Sequence, residues 1–157
     1  MVSRHLLESL LDFDSPLLAN TLDCIDDTPT HELYMSGDIS SVTPNHGPTA
    51  GVAATCKIDS STPEGEGEDE LFWEQIEAIE AMDVPAVWVV ETVGSRPDHE
   101  CVLGDGTAKL LYSAGCIGSV TNGRVRDVAG LLTVPFPVYC RGTVVHHCAL
   151  RIKEVNV

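Results

Sequence analysis

Asp105, Arg126 and Asp127 hold most of the reactive chemistry this sequence offers. Asp105 stands in Gly104-Asp105-Gly106-Thr107, a tetrapeptide that reads as the opening of a helix over 104–114, closed by Gly115. Free backbone N–H groups at a helix start, together with the helix dipole, favour an anion, and glycine lets a ligand approach the main chain. Arg126 and Asp127 lie just past a strand. A guanidinium grips a carboxylate through two parallel N–H bonds. A carboxylate holds a hard cation such as Mg²⁺, which keeps several waters and needs few protein ligands. Each segment alone also has a plainer reading. The tetrapeptide is then an ordinary helix start capped by Asp105, and the pair a surface ion pair worth ~0–1 kcal/mol.

Other polar residues are weaker candidates. His146 and His147 are adjacent on an expected strand, so their side chains should point to opposite faces and make no shared metal site. His46 and His99 fall in loops and read as surface residues. Asn122 reads as a turn residue rather than a catalytic amide. Trp73 and Trp88 sit in apolar patterns and read as core. The acidic loop 59–68 lacks the ligand spacing of an EF-hand, so a solvated approach to a helix is expected there.

The elements that must position the charged trio follow from periodicity. Leu6, Leu7, Leu10 and Leu11 recur at helical spacing, and a second short helix starts near Asp14 with Pro16 in its first turn, giving N-terminal helices over about 3–24. Residues 26–48 read mostly as loop, 50–58 as a buried strand and 69–82 as an amphipathic helix ended by Asp83-Val84-Pro85. Ala86-Val-Trp-Val-Val-Glu91 is apolar on both faces, which points to a central parallel strand. A loop at 92–103, the helix at 104–114 and a strand at 116–121 come next. A turn at Asn122–Gly123, a short helix near 127–132 and strands near 136–140 and 142–152 complete the chain. In this strand–helix–strand crossover both strands run the same way. The helix start and the loop 122–127 therefore meet at one sheet edge, where open α/β sheets bind ligands.

Composition narrows the partners. The 157 residues fit a single domain with a real core. A net charge of −15 argues against nucleic acid and anionic membrane surfaces, which need clustered Lys and Arg, but leaves room for one positive pocket. The six cysteines form no C-x-x-C pair, and Cys56, Cys116 and Cys140 read as small buried hydrophobes of a reducing compartment. No apolar run reaches the ~20 residues of a membrane helix and no signal peptide opens the chain, so a cytoplasmic location is expected.

Three stretches together resemble the RraA-like family, which includes the 4-hydroxy-4-methyl-2-oxoglutarate aldolases and the regulator of ribonuclease activity A. They are Pro48–Ala53, Gly104–Ala108 and Gly115–Asp127, the last containing Asn122-Gly-Arg-Val-Arg-Asp127. The family's aldolase signature is an Asp, twenty intervening residues, then Arg-Asp, and Asp105 with Arg126–Asp127 matches it. The likeness covers about residues 14–145.

The resemblance implies an α/β fold, a swivelling β/β/α domain spanning 1–157, whose family continues past Val157 with a hairpin and closing strands. It implies a homotrimer or hexamer with a site between subunits. It also implies a divalent-metal-dependent lyase, a class II aldolase or decarboxylase. The substrate would be a small anionic 2-oxo acid of the 4-hydroxy-4-methyl-2-oxoglutarate or oxaloacetate type. By position, Asp127 would hold the metal (Mg²⁺, or Mn²⁺ in its place) and Arg126 the substrate's oxygens. Gly104–Thr107 would bind the carboxylate, and Asp105 would position the water that moves the proton. Cleavage of such substrates leaves the enolate of pyruvate, whose charge a metal and Arg126 would withdraw. A lysine Schiff base is the other electron sink, and Lys109, one turn into the helix, is poorly placed for it. The same family also implies an alternative, a non-catalytic regulatory binding protein.

Overall fold

The computed structural model describes residues 2–64 and 69–157. Residues 65–68 of the acidic loop lie outside them. The elements in chain order are α1 (Arg4–Leu10), α2 (Ser15–Leu22), β1 (Ser40–Ser41), β2 (Val52–Ile58), α3 (Asp69–Glu80), β3 (Ala86–Thr92) and β4 (Cys101–Leu103). They continue with α4 (Asp105–Ser113), β5 (Cys116–Thr121), β6 (Arg124–Val125), α5 (Val128–Leu131), β7 (Val138–Cys140) and β8 (Ile152–Val155).

Six strands form the main sheet in the order β1-β7-β5-β3-β2-β8. The four inner strands are mutually parallel, and β1 and β8 run antiparallel at the two edges. This mixed α/β architecture, with a mostly parallel central sheet, is the class the sequence led to. Strand β3 is central, paired with β2 on one side and β5 on the other; one face is buried, and Val87 and Val89 on the other are half-buried. Its Trp88 is fully buried; the indole N–H donates to Gln75 Oε1 at 2.8 Å, and Gln75 Nε2 donates to the Thr55 carbonyl at 2.8 Å. That relay satisfies every polar group the indole brings into the core.

Helix α3 turns a stripe of Phe72, Gln75, Ile76 and Ile79 onto the sheet. Trp73 lies off that stripe and is 54% exposed, so its expected place in the core is corrected. Its ring packs instead on the edge of Phe72, centroids 5.4 Å apart.

Two further expectations change. The stretch 92–103 is not only loop, because Cys101–Leu103 is a fully buried strand that pairs in parallel with β6 as a second, two-stranded sheet. The expected strand 142–152 is mostly irregular. Thr143 makes one isolated bridge to Val125, Gly142 takes φ +115°, and regular pairing resumes only at Ile152. His146 and His147 therefore do not alternate across a sheet. Their rings stack, centroids 4.6 Å apart, and both line the same open cleft. Among the described residues, no helix is long and apolar enough to cross a membrane.

Candidate functional site

Strands β3 and β5 run parallel, and α4 returns the chain between them. The start of α4 and the segment after β6 accordingly meet. Main-chain pairing fixes the junction, since Arg126 N–H donates to the Leu103 carbonyl at 2.9 Å. Gly104 follows in extended conformation as the residue preceding the helix. A Cβ placed on Gly104 would lie 2.9 Å from Asp127 Oδ2 and 3.3 Å from Arg126 Nε. Only hydrogen there lets the carboxylate and the guanidinium close on the start of the helix.

Asp127 opens α5 from the left-handed region, φ +56° and ψ +39°. A non-glycine residue there costs on the order of 1 kcal/mol and is concentrated at functional sites; Asp and Asn tolerate it best. Its carbonyl accepts from Gly130 and Leu131 N–H at 2.8 and 3.0 Å, which pins the backbone. Its carboxylate makes no capping bond to α5 and instead meets Arg126 Nε at 3.1 Å. Both side chains keep access to solvent, at 44% for Asp127 and 35% for Arg126.

Asp105 is the first residue of α4, not its cap, so the plain capping reading is corrected. Its carboxylate turns along the helix to Lys109 Nζ at 2.6 Å. The hydrogen bond from Lys109 holds the carboxyl below its usual range; burial opposes it, while the Lys109 charge, the Gly106 backbone and the Arg126 charge add to the lowering. Gly106 has open space where a side chain would stand, and Thr107 is half-buried. Gly104 to Thr107 all line accessible volume, and the first N–H groups of a helix have no intrahelical partner.

These residues line a pocket of about 190 Å³. Sequence reasoning missed its far wall, formed by Cys101 on β4 and by His147, Cys148 and Leu150. No local pattern marks them, because they arrive only through the irregular segment after Gly142. Burial pushes the Cys101 thiol up to about 11; nearby Cys148 adds to the rise and Arg126 opposes it. Asn122 is structural, as expected: its amide oxygen accepts from Thr92 N–H at 2.6 Å and ties the ends of β3 and β5.

The donor set decides which cation it suits. Among the described residues, no three His, Cys, Asp or Glu side chains gather so as to hold a metal ion. A closed zinc cage is therefore not built here. A hydrated Mg²⁺ needs only one or two carboxylates beside water and substrate oxygens. Asp127, solvent-accessible and uncommitted to capping, fits that requirement.

The family model described as RraA-like, Aldolase/RraA, matches residues 19–157. The chain belongs to the RraA-like family. Solved structures agree on the fold. RraAS2 of Streptomyces coelicolor, described as an unusual member of the RNase ES inhibitor RraA family, is 22% identical with a TM-score of 0.70. The match covers 100% of this chain and 74% of that one. The RNA-processing inhibitor RraA from Thermus thermophilis is 20% identical with a TM-score of 0.61, covering 88% of this chain and 74% of that one. A structure described under novel cellulases from microbes of the gut ecosystem is 18% identical with a TM-score of 0.75, covering 99% of this chain and 66% of that one. This RraA-like chain thus spans about two thirds to three quarters of these relatives. None of the curated proteins matches it.

Proposed function

We propose that this RraA-like chain is a divalent-metal-dependent lyase that cleaves a small 2-oxo acid to pyruvate. The observation that carries the reading is the convergence of Arg126 Nε and Asp127 Oδ2 on the open face of Gly104, at the first turn of α4. Asp127 would hold Mg²⁺ or Mn²⁺. The bound metal would act as a Lewis acid toward the substrate's keto oxygen. Arg126 would grip the substrate's oxygens and place fixed positive charge where the enolate oxyanion develops. The amides of Gly104–Thr107 would receive the carboxylate. Asp105, kept ionised by Lys109, would orient the water that delivers a proton to the enolate carbon. The Lys109 ammonium is engaged by Asp105, which weighs against a Schiff base. We further propose a homotrimer or hexamer; the exposed Leu6 and Leu17 of the N-terminal helices and Leu11 and Phe13 between them support burial between subunits.

The test is pyruvate release from oxaloacetate with Mg²⁺. The reading requires turnover above the metal-only background, lost with chelator and in Asp127→Ala. A wild-type protein that binds Mg²⁺ yet leaves both oxaloacetate and 4-hydroxy-4-methyl-2-oxoglutarate intact would overturn it. The second reading, a regulatory binding protein, is favoured by the family description, which pairs aldolases with RraA. It gains if the wild type is inert but binds an RNA-processing enzyme.

A further inference from the structure

We propose that Cys101 and Cys148 form a reversible disulfide that ties β4 to the segment 143–150 across the mouth of the candidate pocket. Cys148 Sγ accepts a hydrogen bond from Cys101 N–H at 2.8 Å, and its S–H donates to the His99 carbonyl at 3.7 Å. The sulfur thus sits against the start of β4, between two main-chain groups of that strand's entry. Cys101 Cβ is two bonds from the nitrogen it touches. A disulfide needs Cα atoms ~4.4–6.8 Å apart and Cβ atoms ~3.5–4.5 Å apart. A sulfur at hydrogen-bond distance from its partner's own amide is within that reach after rotation about the side-chain bonds.

Both cysteines line the pocket that holds Arg126 and Asp127, so neither must cross packed core to meet the other. Their exposures suit a two-step exchange. Cys148 is half-buried and Cys101 buried. A small-molecule disulfide, R–S–S–R, meets Cys148 first. The Cys148 thiolate attacks one sulfur, the S–S bond breaks, and R–S⁻ leaves and takes up the proton Cys148 gave up. The Cys101 thiolate then attacks the Cys148 sulfur and expels the second R–S⁻, which is protonated in turn. Two protein thiols are oxidised and one R–S–S–R is reduced to two R–SH. In the reduced form Cys101 Sγ donates to the Leu103 carbonyl at 3.8 Å, a weak contact that the rotation gives up, while Cys116 donates to the Gly118 carbonyl and Cys140 to the Gly142 carbonyl, both at 3.3 Å.

The bond anchors His147, Cys148 and Leu150, the outer wall of the pocket, to a buried strand. The covalent step is independent of the proposed reaction; only its effect on turnover rests on that reading. The native protein is incubated with oxidised glutathione, then alkylated, digested and mapped by mass spectrometry. A Cys101–Cys148 linked peptide, reversed by dithiothreitol, is expected. Tryptic cleavage of the native fold after Arg141 and Arg151 should slow at least about five-fold in the oxidised form, and Cys148→Ser should remove that protection. Cys148 found only free or capped by glutathione overturns the proposal, as does protection that persists in Cys148→Ser. If the linked peptide forms but pyruvate release is absent in both redox states, the disulfide stands and the lyase reading alone fails.

Discussion

Gly130 and Asp105 touch across the junction of α5 and α4: a Cβ on Gly130 would lie 2.6 Å from the Asp105 Cβ and 2.8 Å from its carboxylate. The short helix that Asp127 begins is therefore also the surface on which Asp105 rests. One residue type at position 130 sets where the proposed proton-handling carboxylate can stand. Gly130→Ala should push Asp105 away from Lys109. Displacements on the order of 1 Å in a positioned group cost about 100-fold in rate, so a fall of about 10- to 100-fold in kcat is expected. Mg²⁺ affinity, for which Asp127 is the proposed ligand, should change little. Unchanged kcat with a correctly folded variant would show that Asp105 plays no part in the proton step.

Asp127 combines an observed backbone role with the proposed metal-binding one, and substitution can separate them. Asn tolerates the left-handed backbone nearly as well as Asp but brings no negative charge. Asp127→Asn should leave the thermal midpoint close to wild type and abolish Mg²⁺ binding in calorimetry. Asp127→Ala should lose the metal and also about 1 kcal/mol of stability, because φ +56° is then held by a residue type that tolerates the left-handed region less well. Equal stability in the two variants would argue against the backbone part of this account.

The pH dependence of Asp105 has a definite sign. Its carboxyl is held below the ordinary 3.8, chiefly by Lys109. Between the folded and unfolded values the unfolded chain binds more protons, so stability rises with pH there. The contribution is fully present above about pH 4 and disappears as pH falls through the lower, folded value. Carbon NMR titration of the Asp105 carboxyl should show that depressed midpoint, and Lys109→Met should move it upward toward 3.8. No movement in that variant would remove Lys109 as the cause.

The central crossover was legible in the sequence because its signals are local. Ala86–Glu91 is apolar on both faces, Gly104–Thr107 marks a helix start and Gly115 a helix end, and direction along the sheet then brings residue 104 beside residues 126 and 127. Strand β4 was not legible. Its three residues are all buried, so no alternation marks them, and its partner β6 has only two residues. The pocket's outer wall was hidden for the opposite reason. Val144, Val145 and the two histidines imitate a strand, yet Gly142 at positive φ and the stacked imidazoles divert the chain. Trp73 misled because its flanks are apolar, while its place on the helix is set by the Phe72–Ile76–Ile79 stripe beside it.

Gln75 links α3, β2 and β3 through one buried amide, and its removal leaves the Trp88 indole N–H without its partner. In Gln75→Leu, shape and apolar volume are roughly kept, but the Trp88 indole N–H loses its partner at 2.8 Å, while the Thr55 carbonyl keeps the Asn156 N–H at 2.8 Å. A buried polar group left unmade costs about 1–3 kcal/mol. A loss of about 1–3 kcal/mol in denaturant unfolding is therefore expected, with the m-value unchanged. Trp73 is exposed and Trp88 buried, so the buried component of the fluorescence should report the change. The candidate trio lies just past the ends of β4 and β6, whereas Gln75 lies on α3. Mg²⁺ affinity of the folded Gln75→Leu protein should match wild type; a parallel loss of affinity would mean that the core relay, and not only the strand ends, holds Arg126 and Asp127 in place.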